Sequence, residues 1–181
     1  MPPLHHFVLT NFNVHIPGVT SDRSGGPVRT REWLDGRVVL FETFCLPSMA
    51  GQTCQAFEWL ICVDEETPAD IRERIGRWRK SVNLTPVWHE SHIHTLIAER
   101  VGCGPSVVLT TRLDSDDALQ KQFVAVMQGE ARATCAEILC PTYGYSLQYP
   151  EGTVRQSHDT LSAFITLVAG SLTSSLVGAF F

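Results

Sequence analysis

Three carboxylates crowd the end of an apolar run at residues 107–119, VVLTTRLDSDDAL: Asp114, Asp116 and Asp117. Apolar β-branched residues that give way abruptly to acids read as a buried strand surfacing at its C-terminal end. Side chains two apart in an extended segment point the same way, so Asp114 and Asp116 are expected to converge. Carboxylates held that close repel unless one takes a proton or a cation lies between them. Hard divalent cations prefer oxygen ligands, which points to Mg²⁺ or Mn²⁺. Mg²⁺ sites use one or two carboxylates and complete the shell with water and substrate phosphate, so the expected chemistry is a metal bridge to a phosphorylated ligand. The competing reading is structural: acids at strand ends make turns, and Asp117 stands where it could cap the next helix. Two other acid motifs do not fit. An EF-hand loop starting at Asp114 would need Gly and Glu where the chain has Leu119 and Ala125. The Asp-x-Asp of aspartyl-phosphate enzymes follows the first strand and precedes Thr or Val, whereas this one comes late and is followed by Asp117.

The elements that must position these acids follow from hydrophobic periodicity. Residues 6–14 (HFVLTNFNV) read as a first buried strand. Residues 16–30, rich in Gly, Pro and Ser, form a loop of the kind that lies over the ligand site of an α/β sheet, or a plain surface loop. Over 31–51, Trp33, Leu34, Val38, Phe41, Phe44 and Cys45 fall near one helical face, and Pro47 marks an end or a kink. Residues 57–63 (FEWLICV) are a second strand ending in Asp64, Glu65 and Glu66. Thr67 and Pro68 then stand as cap and first residue of a helix over 69–82, with Ile71, Ile75 and Trp78 inward.

Residues 84–90 give a short third strand and 95–101 a short helix. His89, His92 and His94 between them match no standard zinc spacing and read as exposed or loop histidines. A helix over 120–134 packs through Phe123, Val124, Val126 and Met127; 138–150 and 153–158 form a hairpin about Glu151-Gly152. The alternation of strands and helices predicts an α/β sandwich with a largely parallel sheet. In such a sheet strands two and four can face one crevice, which would bring Asp64 near Asp114 and Asp116.

The whole chain sets bounds. At 181 residues, 44% hydrophobic and 18% charged, it is one ordinary domain with room for a core. A net charge of -5 and no basic run argue against nucleic acid as a partner. The six cysteines include no Cys-x-x-Cys pair and read as buried, reduced thiols of a cytoplasmic protein. The N-terminus has no secretory signal pattern. Residues 1–160 form the domain, and 161–181 are an apolar, charge-free C-terminal segment. Its first reading is a packed helix; the second is peripheral membrane association, the third a non-native end from a truncated or shifted reading frame.

Three blocks carry a family resemblance: FETFCLPSMAGQ, FEWLICVDEETP and TTRLDSDDAL, long and in order. Over roughly residues 7–158 the chain resembles the putative rhamnosyltransferases among bacterial glycosyltransferases. The resemblance implies a GT-A (Rossmann-like) fold, a three-layer sandwich whose C-terminal part is truncated here. It also implies sugar transfer in polysaccharide synthesis, from a UDP- or dTDP-sugar donor to a saccharide or other hydroxyl acceptor, with Mn²⁺ or Mg²⁺ as cofactor. Carried onto this chain, it assigns Asp64 to the nucleotide base or ribose and Thr10 and Asn11 to the nucleotide pocket. Asp114 and Asp116 go to the metal–diphosphate, with Asp117 in support, and Arg112 to the phosphates or to pairing with the acids. A general base would come from the acceptor half, where Glu130, Glu137, Glu151, His158 and Asp159 are available and His158 or Asp159 is preferred. The family continues with an acid after an "FISLVE"-like block; this chain has AFITLVAG, with Ala169 and no acid. That departure implies an incomplete acceptor side, and keeps open a non-catalytic nucleotide- or metal-binding domain, or an inactive relative, acting at the inner membrane face or in the cytoplasm.

Overall fold

A computed structural model describes residues 2–15, 18–22, 25–88, 92–160, 162 and 164–170. Its centre is a six-stranded sheet in the order β3-β2-β1-β4-β8-β5, with a separate two-stranded ribbon of β6 and β7. Four strands, β1 (Leu4–Asn11), β2 (Glu58–Cys62), β3 (Leu84–Val87) and β4 (Val107–Arg112), run parallel. β8 (Thr166–Gly170) pairs antiparallel with both β4 and β5 (Ile138–Leu139).

Strand side chains alternate between the faces, and both faces are apolar. Val8, Trp59, Ile61 and Leu109 enter one core, under α1 (Arg31–Leu40), α3 (Ala69–Trp78) and α5 (Phe123–Ala133). Phe7, Leu9, Leu60, Cys62 and Val108 enter the other, with Ile93 and Ile97 of α4 (Ile93–Val101). This is the three-layer arrangement that buried parallel strands require. Phe41 anchors the larger core, with its ring 4.4 Å from that of Trp78 and 5.3 Å from that of Trp59.

Several expectations are corrected. The expected helix over 31–51 is one unbroken run, but after α1 it passes through a π-helical turn (Phe41–Cys45) before α2 (Leu46–Ala50), and this irregularity lies next to Pro47. Thr67 does not cap α3. Its hydroxyl donates to the Asp64 carbonyl at 2.6 Å, and Pro68 holds the cap position. Asp117 does not cap α5, whose preceding residue is Gln122, and Val126 faces outward at 48% exposure. Most informative is Thr166–Gly170, expected in a packed helix and found as a strand. A charge-free segment with β-branched residues satisfies its backbone by pairing with β4, and burial of Leu167 and Ala169 overrides helical preference. The rest of the apolar tail, 171–181, and His89 of the histidine trio lie outside the described residues.

Candidate functional site

The strand order reverses between β1 and β4, because the chain moves from β1 outward to β3 and returns on the other side for β4. Ligands of open α/β sheets bind outside the carboxyl ends of the strands at such a switch point. Asn11 ends β1 there and Arg112 ends β4, leading directly into the acidic residues.

The acids do not continue the strand. The Asp117 N–H closes a turn on the Asp114 carbonyl at 3.1 Å, so Asp114 and Asp116 are not successive positions on one strand face. Each carboxylate meets an arginine instead. Arg112 pairs with Asp114 at 3.1 Å, and Arg37 of α1 pairs with Asp116 at 2.8 Å. Between them Ser115 is buried and accepts from Arg37 Nη1 at 3.2 Å.

The FETFCLPSMAGQ block holds this turn from below. Cys45, Ser48 and Gln52 recur at helical spacing on one face. Cys45 Sγ donates to the Asp114 carbonyl at 3.8 Å, and Ser48 Oγ accepts from the Leu119 N–H at 3.2 Å. Gln52 donates to the Gln120 carbonyl at 3.0 Å and accepts from the Val124 N–H at 3.1 Å. The Cys45 thiol is pushed well up, first by burial and then by the negative charge of Asp117, Asp116 and Asp114.

A second feature lies on the same sheet edge. A cavity of about 210 Å³ is lined by Asn13, Arg29, Trp33, Asp64 and Thr67 among others. Asn13 receives the Asp64 N–H at 3.0 Å and donates to Thr67 Oγ1 at 2.9 Å, which fastens the end of β1 to the end of β2. Asp64 Oδ1 accepts from the Glu66 N–H at 2.7 Å, while Oδ2 takes Arg29 Nη2 at 2.7 Å. Arg29 holds a positive φ of 67°, uncommon outside glycine, just before Thr30 caps α1. Arg29 and Thr30, the last residues of the 16–30 loop, thus line this cavity.

β1 lies between β2 and β4, so two strand spacings of about 4.8 Å each separate the strand ends that carry Asp64 and the acidic turn. α1 makes the connection. Trp33 lines the cavity, and the guanidinium of Arg37, one turn on, lies 5.1 Å from its ring centroid while holding Asp116. Arg37, Trp33, Asn13 and Arg29 were not expected from the sequence. Trp33 and Arg37 at i and i+4 on the helix before the second strand were the available signal.

The other expected residues fall as follows. Thr10 is buried and accepts from Trp59 Nε1 at 2.9 Å, inside the core; Asn11 is half-buried at the end of β1. His158 and Asp159 stand at the foot of the ribbon, where the His158 ring lies 4.6 Å from that of Tyr143 and the Asp159 N–H donates to the Thr142 carbonyl at 2.8 Å.

The chemistry of the donor set bears on a metal. Asp114 and Asp116 offer carboxylates that are 39% and 42% exposed. Among the described residues no group of three or more His, Cys, Asp or Glu could hold a metal ion. Each carboxylate is already engaged by an arginine, Arg112 on Asp114 and Arg37 on Asp116, so a cation there would have to displace those partners and draw the rest of its shell from water and phosphate.

This mostly parallel six-stranded sheet, with its acids at the switch point, has the GT-A arrangement. Residues 28–175 match the family model described as "Putative rhamnosyl transferase", and the chain belongs to that family. The structure of S. aureus TarS 1-349 superposes with a TM-score of 0.50 at 12% identity, over 90% of this chain and 46% of that one. A structure of the same TarS segment in complex with UDP gives 0.47 at 12% identity, over 91% and 46%. The chain thus spans about half the length of these TarS chains. A search of curated proteins finds no match.

Proposed function

We propose that this chain binds a nucleotide-diphosphate sugar across the carboxyl edge of its sheet and transfers the sugar to a hydroxyl acceptor. The observation that carries the reading is the placement of two exposed carboxylates, Asp114 and Asp116, at the β1/β4 switch point of a member of this family. The cavity beside Asp64 takes the base and ribose, with Trp33 as an apolar wall and the Asp64 carboxylate as hydrogen-bond acceptor.

Asp114 and Asp116 would hold Mn²⁺ or Mg²⁺, with Asp117 in support. When bound, the cation supplies Lewis-acid stabilisation of the charge that grows on the departing diphosphate. Arg37 and Arg112 pair with the acids and would be released to share charge with phosphate oxygens once those acids have another partner. His158 or Asp159 takes the proton from the acceptor hydroxyl as general base.

Calorimetric titration of UDP and dTDP, with and without Mn²⁺, tests the reading on wild type and Asp116→Ala. Metal-dependent binding that disappears in the variant supports it. Failure of both nucleotides under every metal condition overturns it. Binding without sugar transfer or donor hydrolysis would instead make the chain a nucleotide-binding domain without catalysis.

A further inference from the structure

The β6–β7 ribbon (Tyr143–Gln148 and Thr153–His158) has two unlike faces. Antiparallel pairing sets Tyr143 opposite His158, Tyr145 opposite Gln156 and Leu147 opposite Val154, so these six side chains share one face. The other face carries Gly144, Ser146, Gln148, Thr153, Arg155 and Ser157. The first face is mostly aromatic and aliphatic, with Gln156 and His158 as its polar members and no Asp, Glu, Lys or Arg. It is also open to solvent: Tyr143 is 71% exposed, Tyr145 77%, Leu147 45% and Val154 59%. All of the protein's three tyrosines lie in this hairpin, the third being Tyr149 at its tip.

The ribbon is tied to the ligand edge at both ends. Its foot follows β5, whose Leu139 pairs with Thr166, and Thr166 pairs with Thr111 near the carboxyl end of β4. Its tip is fastened by Tyr149, whose ring packs edge-on to Phe44 at 5.5 Å. Phe44 belongs to the π-helical turn whose Cys45 supports Asp114. The foot and the tip of the ribbon are thus linked to elements that carry the proposed transfer site.

We infer that this face is a saccharide-binding surface, on which Tyr143 and Tyr145 stack against the C–H faces of neutral sugar rings. As an acceptor surface it rests on the function proposed above. An aromatic ring is negative over its face and attracts the weakly positive C–H bonds that a pyranose presents on one side, while the tyrosine hydroxyls remain free to bond sugar hydroxyls. With no Asp, Glu, Lys or Arg, and with His158 and Gln156 adding hydrogen-bonding groups, the face suits a neutral, hydroxyl-rich ligand better than a phosphate or an anionic surface. Area argues against a second copy. At these exposures Tyr143, Tyr145, Leu147 and Val154 offer roughly 400 Å², taking an aromatic side chain as about 200 Å². A stable protein interface needs about 800 Å² per partner, whereas functional patches of a few hundred Å² are common.

The test uses the full chain, without nucleotide, labelled with ¹³C-tyrosine. Three tyrosines give a simple aromatic NMR spectrum. Methyl glycosides of neutral hexoses and 6-deoxyhexoses, and their disaccharides, serve as probes. The expected result is saturable movement of the Tyr143 and Tyr145 resonances by at least one probe. Tyr143→Ser with Tyr145→Ser should weaken that binding at least tenfold, with thermal unfolding unchanged, while Tyr145→Phe should keep most of it because the ring remains. No movement with any probe overturns the inference. So does broadening of these resonances that grows with protein concentration and vanishes on dilution, since the face would then be covered by another copy. Glycoside binding in a chain that binds neither UDP nor dTDP would leave this surface standing and remove the transferase reading; the reverse pattern would do the opposite.

Discussion

Arg37 Nη1 lies 2.8 Å from Asp116 Oδ1, while the same guanidinium sits 5.1 Å from the centroid of Trp33. One side chain on α1 therefore couples the acidic turn to the wall of the Asp64 cavity. Both partners are partly exposed, 22% and 42%, so the pair contributes at most about 1 kcal/mol to stability and can be exchanged for a ligand.

Arg37→Met removes the counter-charge from Asp116 and leaves two acids repelling across the turn. The nucleotide-free protein should then bind Mn²⁺ several-fold more tightly, as read from the loss of the free-ion paramagnetic resonance signal. Stability should fall by no more than about 1 kcal/mol in urea. Unchanged Mn²⁺ affinity would show that Arg37 does not compete for the acids.

His6 makes stability depend on pH. Its ring is buried on β1, with Nε2 at 2.8 Å from Thr111 Oγ1, which in turn lies 2.6 Å from Thr166 Oγ1 on β8. Burial lowers its pKa from 6.5 to about 4. The unfolded chain takes up a proton as pH falls through 6.5 and the native chain does not until about 4, so stability is full above 6.5 and is lost between those values. The loss should approach about 3 kcal/mol near pH 4, at 1.36 kcal/mol per pKa unit. Urea unfolding at stepped pH checks it, and His6→Gln should flatten the slope across that window.

Thr10 predicts a stability effect from the core. Thr10→Val keeps the shape but leaves the buried Trp59 indole N–H without its acceptor, now at 2.9 Å. The expected cost is about 1–3 kcal/mol. Equilibrium unfolding followed by tryptophan fluorescence measures it, and an unaltered midpoint would mean that the indole finds another partner.

Thiol reactivity should divide the cysteines by place. Cys45 and Cys62 are buried, and the Cys45 thiol is held protonated by burial and by the neighbouring carboxylates, whereas Cys103 and Cys135 are exposed. A disulfide-exchange reagent on native protein should modify Cys103 and Cys135 rapidly and leave Cys45 and Cys62 untouched until unfolding, as read by peptide mass mapping. Rapid labelling of Cys45 would show that the acidic turn opens.

Much of the parallel sheet was legible in the chain because its strands are buried on both faces. A run such as WLIC in β2 is continuously apolar, and each such run ends where polar residues surface. The α3 face of Ile71, Ile75 and Trp78 was equally plain, since the opposite face is charged. Thr166–Gly170 was not legible. Its apolar residues lack the polar partners that reveal a period, and only pairing with β4 decides between strand and helix.

The candidate site divides the same way. Residue type and order determined that acids close β4 and β2, because a strand must surface where charge begins. Which cation each acid meets was decided by the fold alone. Arg37 and Asp116, like Arg29 and Asp64, are far apart in sequence and come together only when β1 sits between β2 and β4 and α1 crosses above them. The same holds for the ribbon: alternation set Tyr143, Tyr145 and Leu147 on one face, but their exposure depends on where the other described elements pack. Local pattern is a property of neighbours in the chain, whereas a contact between distant residues depends on topology, which no local pattern contains.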